Sequence, residues 1–219
     1  MTAPSYFIAG CGRFGSQAAR RLLDGNPSSK IIIADRDEKA LREIFSFPVE
    51  VVPGDSVHGL DQLLRKGQGF DYVVPAVPFH FAFEFILSRL KPLGARRHAV
   101  PPVSGLPNPI RGETGDLYTS LADFLCPEDC PEPASYCTVT GRARRKPLYK
   151  RLLELRGPFE SKVIRSHQLG LGVGGFRLRA LLDLLEEVRK RRPSDPFFLI
   201  TTACRCHGVT SALSFVHVN

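Results

Sequence analysis

The residues with the clearest chemical potential are three glycines near the start of the chain, Gly10, Gly12 and Gly15, spaced as G-x-G-x-x-G. Gly10 permits a tight turn, Gly12 lets the backbone approach a diphosphate, and Gly15 allows a helix to pack closely on a sheet. Asp35 follows twenty residues after Gly15, where a carboxylate can accept hydrogen bonds from a ribose. The spacing predicts a dinucleotide site, and an ordinary glycine turn without a ligand is the alternative.

The cofactor preference depends on two neighbouring residues. Asp35 favours NAD(H), because its charge repels the 2′-phosphate of NADP, whereas the guanidinium of Arg36 can pair with that phosphate and weakens the preference. We interpret Cys11, inside the glycine turn, as a small residue that fills space beside the cofactor. The residues predicted to contact the cofactor are Gly10, Cys11, Gly12, Arg13, Phe14, Gly15, Asp35, Arg36, Asp55, Pro75, Ala76 and Val77.

Five of the six cysteines form two groups in the second half of the chain. Cys126, Cys130 and Cys137 have the spacing C-x3-C-x6-C, and Cys204 and Cys206 flank one arginine. Thiolates close together on an irregular loop suit Zn²⁺ or an iron–sulfur cluster. Three thiolates from the loop, with one or two from the pair, would supply four ligands, so the five cysteines are candidate metal ligands.

Three interpretations of these cysteines remain open at the sequence level. They hold a metal centre, with an iron–sulfur cluster slightly favoured over zinc; they include a redox-active dithiol at Cys204 and Cys206; or they are reduced structural thiols. If the chain is extended there, the side chains of Cys204 and Cys206 point the same way and His207 points the other way.

Two histidines are candidates for general acid–base catalysis. His167 ends a predicted strand at residues 162–167, at the kind of position where α/β proteins place reactive residues. His80 opens a predicted helix, where it would face the nicotinamide pocket or cap the helix. The glycine-rich segment at residues 170–175 would either hold an anion on its backbone N–H groups or form a tight turn.

The elements that must position these residues alternate between strand and helix through residue 103. Apolar runs predict strands, and segments with helical spacing of apolar residues lie between them. This alternation predicts a parallel sheet with right-handed crossovers. The predicted fold class is therefore α/β, a Rossmann-like, doubly wound and mostly parallel sheet with a smaller cysteine-containing α/β region. The predicted strands are at residues 6–9, 31–34, 49–52 and 70–77.

The first half resembles two families of dinucleotide-binding domains. Residues 8–15 (IAGCGRFG), 33–37 (IADRD) and 52–55 (VPGD) resemble the regulatory nucleotide-binding domain of potassium channels and transporters, the TrkA-N or RCK type. Residues 73–80 (VVPAVPFH) resemble the strand and loop near the nicotinamide in saccharopine-dehydrogenase-like oxidoreductases. Both resemblances imply a Rossmann domain that binds NAD(P), and by analogy a homodimer. Residues 104–219 resemble neither family.

The chain divides into two predicted regions, a dinucleotide-binding Rossmann domain at residues 1–103 and a cysteine-rich α/β region with a metal site at residues 104–219. Four prolines between residues 101 and 109 predict a connector of restricted backbone. The second region repeats the order strand, glycine turn, helix, strand. It either extends the first sheet or forms a small domain of its own.

Composition limits the partners. The net charge is +8, with basic clusters at residues 142–151 and 189–192. This charge suits an anionic partner, but no helix-turn-helix or aromatic-interleaved RNA pattern is present, so we do not expect nucleic-acid binding. No apolar run reaches the roughly eighteen residues of a membrane span, and the N-terminus has no secretory-signal pattern, which predicts a cytoplasmic protein.

These patterns support two functional hypotheses. The first is an NAD(P)-dependent oxidoreductase, in which electrons pass between the nicotinamide and either a small substrate or a cysteine-ligated metal centre. The alternative is a non-catalytic NAD(H)- or redox-sensing regulator that acts on a protein partner, as the potassium-transport resemblance implies.

Overall fold

The computed structural model describes residues 3–190 and 197–216, which form twelve strands and six α-helices. The strands are β1 (Ser5–Ala9), β2 (Lys30–Asp35), β3 (Glu50–Pro53), β4 (Tyr72–Pro75), β5 (Ala95–His98), β6 (Ile110–Arg111), β7 (Leu117–Ser120), β8 (Phe159–Arg165), β9 (His167–Gly170), β10 (Val173–Arg177), β11 (Phe197–Ala203) and β12 (His207–Phe215). The helices are α1 (Arg13–Gly25), α2 (Glu38–Glu43), α3 (Ser56–Arg65), α4 (Phe81–Leu90), α5 (Leu148–Leu153) and α6 (Leu178–Arg189).

The first sheet has the strand order β3-β2-β1-β4-β10-β9. Strands β1 to β4 are parallel, and β10 joins β4 in the antiparallel direction. The chain first builds outward from β1 through β2 to β3 and then returns to place β4 on the other side of β1. The carboxyl ends of β1 and β4 therefore flank a topological switch point, where such sheets bind ligands. The predicted Rossmann-like α/β fold is confirmed.

Helices cover both faces of this sheet because the side chains of each strand alternate between the faces. Tyr6 and Ile8 of β1 pack in a cluster with the apolar sides of α1 and α2. Phe7 and Ala9 face the opposite way, into a larger cluster with residues of α3, α4 and α6. The apolar faces of the amphipathic helices α1 and α6 thus pack in clusters with strands of the sheet, and α4, which is apolar around most of its surface, is buried.

The second sheet has the order β6-β7-β12-β11-β8, and β5 also pairs with β12. Helices α4 and α6 lie between the two sheets, because their buried side chains share one cluster with residues of β11 and β12. Helix α5 packs against β8, β11 and β12. The two sheets do not divide at residue 103. Strand β5, which precedes this residue, belongs to the second sheet, and β9 and β10, which follow it, belong to the first. The division at residue 103 therefore remains a sequence-based proposal.

The glycine-rich segment at residues 170–175 forms a β-hairpin instead of a loop at a helix N-terminus. Gly170 ends β9, Gly172 takes a positive φ of 63° at the turn, and β10 runs on to Arg177, the N-cap of α6. The predicted strand at residues 162–167 is broken at Ser166, where the chain leaves β8 in the second sheet and enters β9 in the first. Of the two interpretations, the tight turn is the one observed.

No helix among the described residues is long and apolar enough to cross a membrane. Two members of the predicted basic cluster at residues 189–192, Arg191 and Arg192, lie outside the described residues.

Candidate functional site

The glycine turn, residues 10–15, has the close contacts that its sequence predicts. Gly10 has a φ of 97° and its N–H donates to the carbonyl oxygen of Ala34 at 2.8 Å. A Cβ on Gly15 would lie 1.9 Å from the Gly10 carbonyl oxygen, so α1 can approach the turn only without a side chain there. Gly12 is different: it has a φ of −62°, is exposed, and a Cβ there would meet no protein atom within 4 Å. The protein itself therefore does not require glycine at position 12.

The N-terminus of α1 offers a place for an anion. Gly12 is its N-cap, no side chain of the described residues caps it, and its first turn holds no acidic residue. The free N–H groups and the positive end of the helix dipole favour a phosphate. The space beside Gly12 is open, so its backbone is accessible to a ligand.

Asp35 lies beside the glycine turn, as predicted, and is bound to it. One carboxylate oxygen accepts a hydrogen bond from the Cys11 N–H at 2.5 Å, and the other accepts from the Asp37 N–H at 2.8 Å. Burial, reinforced by the negative charge of Asp35, raises the pKa of the Cys11 thiol to about 11. The thiol donates to the carbonyl oxygen of Ala40 at 3.4 Å, which agrees with the predicted role as a small space-filling residue.

Arg36 and Asp55 form an ion pair at 2.6 Å next to this edge of the sheet. Asp55 also caps α3, because its side chain accepts a hydrogen bond from the His58 N–H at 2.8 Å. A 2′-phosphate would have to compete with Asp55 for the Arg36 guanidinium. The ion pair therefore makes Arg36 less available to the 2′-phosphate of NADP, so Arg36 is a weaker argument against NAD(H) than the sequence alone indicates.

The segment Pro75, Ala76 and Val77 connects the glycine turn to a large cavity of about 490 Å³ between the two sheets. A Cβ on Gly10 would lie 2.6 Å from the Ala76 carbonyl oxygen and 3.1 Å from Val77 Cγ1. Pro75 and Val77 also line the cavity, together with apolar side chains and a few polar ones. Its polar lining residues include Asn108, Tyr118, Ser120, Ser166, Thr202 and His207.

The two predicted acid–base histidines are not brought together at this cavity. His80 lies in its wall but is 2% exposed, with hydrogen bonds to Ser211 at 2.8 Å and Thr202 at 2.9 Å. Burial lowers the pKa of His80 to about 3, so the ring is neutral near pH 7 and does not act there as a protonated general acid. His167 does not line the cavity; it sits at the start of β9 with its ring edge against Tyr72.

The candidate metal ligands are divided between two cavities. Cys126, Cys130, Cys137 and Cys206 line a small cavity of about 240 Å³, whereas Cys204 lines the large cavity. All six cysteines are free thiols. Among the described residues, no three His, Cys, Asp or Glu side chains are grouped closely enough to hold a metal ion as they stand. The predicted five-cysteine ligand set is therefore not assembled.

The expectation that Cys204 and Cys206 point the same way assumed an extended chain, and the chain instead turns sharply between β11 and β12. The Cys204 N–H donates to the carbonyl oxygen of His207 at 2.9 Å, and the N–H groups of Cys206 and His207 both point at the Cys204 sulfur. Burial and the neighbouring Glu132 carboxylate raise the pKa of Cys204 to about 12. Cys204 is therefore a protonated thiol at neutral pH. His207, an exposed residue, lies beside another of the cysteines: its Nε2 is 3.6 Å from the Cys126 sulfur.

The irregular segment at residues 121–147, here called the cysteine loop, contacts the helix that begins at the glycine turn. The Arg13 guanidinium pairs with the Glu128 carboxylate at 2.5 Å. Arg21 donates to the carbonyl oxygens of Glu128 at 3.0 Å and Leu171 at 2.6 Å. The second half of the chain is thus in direct contact with the predicted diphosphate site, through a residue predicted to bind the cofactor.

Sequence reasoning singled out Arg13 but not Glu128 or Arg21, which also make this connection. Glu128 stands between two cysteines and reads as a solvent-exposed acid, and Arg21 reads as the polar face of α1. Ser166, which lines the large cavity, is the residue at which the chain changes sheets. Among the missed residues and His207, only His207 has a sequence pattern that indicates a site, since it directly follows the Cys204–Cys206 pair.

Comparison with known families assigns both halves. Residues 82–216, more than half of the chain, match the family AF_1314_C, described as the C-terminal domain of an uncharacterized protein. The chain belongs to the AF_1314_C family. Residues 6–68 match the TrkA-N domain, which confirms the potassium-transport resemblance of the glycine turn. The AF_1314_C match begins within α4, so it includes all of the second sheet together with β9 and β10 of the first.

One relative extends over nearly the whole chain. An uncharacterized protein of Archaeoglobus fulgidus is 29% identical over 227 residues, which cover 94% of this chain and 97% of that protein. The alignment therefore extends well beyond either family match alone. No solved structure matches the chain significantly.

Proposed function

We propose that the protein binds NAD(H) across the glycine turn, with the diphosphate at the N-terminus of α1. The observation that carries this proposal is the open space at Gly12, beside a helix N-terminus that no described side chain caps. Asp35 lies at the end of β2, where its carboxylate oxygens remain able to accept from a ribose in addition to their backbone donors. The TrkA-N match supports a dinucleotide as the ligand.

The function we infer first is that of an NAD(H)-dependent oxidoreductase acting on a small, mostly apolar substrate. Bound NAD(H) would supply hydride chemistry. Pro75 and Val77 line the large cavity, and Val77 also lies beside Gly10 of the glycine turn. The cavity is of a size that suits a small ligand. Ser166 and Thr202 line this cavity and would orient a substrate through hydrogen bonds. His80 would act by holding Thr202 in position.

A second candidate function is regulation, in which NAD(H) binding changes a surface that a protein partner reads. The Arg13–Glu128 ion pair favours this candidate, because a diphosphate at the α1 N-terminus would compete with Glu128 for the guanidinium. A metal centre on the cysteines would serve either candidate, as an electron acceptor if it is an iron–sulfur cluster and as a structural clamp if it is zinc.

A titration with NADH and NAD⁺, followed by an assay with a dye electron acceptor, separates the two candidates. Binding together with dye reduction supports the oxidoreductase. Binding without turnover of any acceptor supports the regulator. If neither redox form binds, both candidates are refuted.

Replacing Glu128 by glutamine should tighten NADH binding about two- to fivefold, because it frees the Arg13 guanidinium for the diphosphate at the expense of an exposed ion pair. The measurement is isothermal titration of the Glu128→Gln variant with NADH. Asp129→Asn, which removes the adjacent carboxylate of the same loop, is the matched control and should leave the affinity unchanged. Equal effects of both variants would show that only the net charge of the loop matters.

A further inference from the structure

The cysteine loop has a defined course without a hydrophobic core. None of residues 121–147 is buried, and its large apolar side chains include Leu125 at 96% exposure and Val139 at 51%. Segments of this kind usually depend on disulfides or a metal ion for their order. The six cysteines form no disulfide here, so the thiols of the loop are available as ligands.

The backbone around Cys137 and Cys130 is folded into tight turns, and the turn at Cys137 directs backbone donors at its sulfur. The Cys137 N–H donates to the carbonyl oxygen of Arg142 at 2.9 Å, and the Gly141 N–H donates to that of Cys137 at 2.8 Å. This turn brings the N–H groups of Val139 and Thr140 to the Cys137 sulfur. At the other end of the loop, the Cys130 N–H donates to the carbonyl oxygen of Pro127 at 3.2 Å and closes a turn that begins beside Cys126.

We propose that Cys126, Cys130, Cys137 and Cys206 form a four-thiolate site for one Zn²⁺ ion in the small cavity. The four cysteines line this cavity from three separate stretches of chain, two on the loop and one at the β11–β12 turn. Four thiolates are a common ligand set of structural zinc. The free thiols are not yet grouped for binding, so the ion would draw the four side chains inward and fasten the loop to the second sheet.

The charges around the cavity fit this ligand set. Zn²⁺ with four thiolates carries a net negative charge, and the cavity is lined by cationic side chains that offset it. The basic cluster at residues 142–151 would then offset the charge of the metal centre, which explains the cluster without binding to nucleic acid. Cys204 is outside the set because its side chain lines the large cavity, on the other side of the turn. The cationic residues at the small cavity are Arg142, Arg144, Arg145, Lys146 and Arg151.

The inference rests on the proposed function only for the role of the site, since zinc would hold the loop whose Glu128 contacts Arg13. The existence of the site is independent of NAD(H). Zinc binding without NADH binding would refute the proposed function and leave the site standing, and NADH binding without a metal would do the reverse.

The test is the metal and thiol content of the full chain, purified without oxygen from cells supplied with zinc and iron. We expect about one Zn²⁺ per chain in the wild type and in the control Cys204→Ser, and less than about a tenth of that in Cys126→Ser and Cys206→Ser. Circular dichroism and the NADH titration report whether each variant is folded.

A second measurement on the wild type does not depend on the folding of variants. A strong chelator should release the zinc and expose four additional reactive thiols, and Co²⁺ added afterwards should give thiolate-to-metal charge-transfer absorption. Three results would overturn the proposal: iron with acid-labile sulfide, which would make the centre an iron–sulfur cluster; a disulfide within the four cysteines; or no metal with all thiols reactive before chelation. Loss of zinc from Cys204→Ser would refute the ligand set.

Discussion

Replacing Gly12 by valine should weaken NADH binding by at least about 100-fold, equivalent to about 2.8 kcal/mol, while the free protein keeps its stability. A Cβ at this position meets no protein atom within 4 Å, and the φ of −62° is ordinary for any residue. The added side chain would occupy the space in which a diphosphate must approach the helix N-terminus. Calorimetric titration with NADH and thermal unfolding of the same variant check both parts of this expectation.

Gly25→Val is the matched control, because Gly25 ends the same helix and a Cβ there also meets nothing within 4 Å. It should bind NADH like the wild type. Gly15→Ala provides a contrast: its Cβ would collide with the Gly10 carbonyl oxygen, so we expect a loss of stability instead of a selective loss of binding. Normal NADH binding by Gly12→Val would refute the placement of the cofactor.

The first sheet and its glycine turn could be predicted because their signals are local. Apolar runs of strand length indicate β1 to β4, and the alternation with helices indicates their parallel direction. The return of β10 to pair with β4 could not be predicted. It depends on a pairing between residues about one hundred positions apart, such as Val73 with Phe176, and no local pattern states which sheet a hairpin will join.

The candidate site divides in the same way. The roles of Gly10, Gly15 and Cys11 follow from backbone conformation and close packing, which the residue type alone indicates. The catalytic roles of His80 and His167 depend on where the rings lie relative to a cavity formed by two sheets. That cavity exists only after the chain has folded, so a strand end or a helix start was not enough to place a histidine in it.

The spacing of the cysteines in the sequence predicts part of their arrangement in the structure. Their clustering on an irregular loop predicted a shared environment, and four of them do line one cavity. The division between Cys204 and Cys206 follows from a turn that the sequence did not reveal, because residues 197–207 contain no glycine or proline to mark it. Backbone N–H groups directed at the Cys204 sulfur help to hold this turn, and such local contacts have no simple sequence signature.

Acidification should destabilise the protein through His80, at up to about 1.4 kcal/mol per pH unit between its unfolded and folded pKa values. Burial, with a smaller contribution from the nearby Arg97 charge, lowers the folded pKa of His80 from 6.5 to about 3, and Asp116 opposes this shift. Below pH 6.5 the unfolded chain binds a proton that the folded chain excludes. The free energy of unfolding is therefore highest above pH 6.5 and falls as the pH approaches 3.

Denaturant unfolding at pH 7 and pH 4.5 measures this contribution as a difference between variants, since the carboxylates titrate in all of them. The wild type should lose about 2 to 3 kcal/mol more than His80→Gln over this interval. His58→Gln, on the exposed side of α3, is the control and should keep the wild-type dependence. Parallel pH profiles for wild type and His80→Gln would show that His80 is accessible to protons. An imidazole NMR signal that titrates near pH 6.5 in the folded wild type and is missing from the spectrum of His80→Gln would show the same. His80 would then regain its candidacy as a proton carrier in the large cavity.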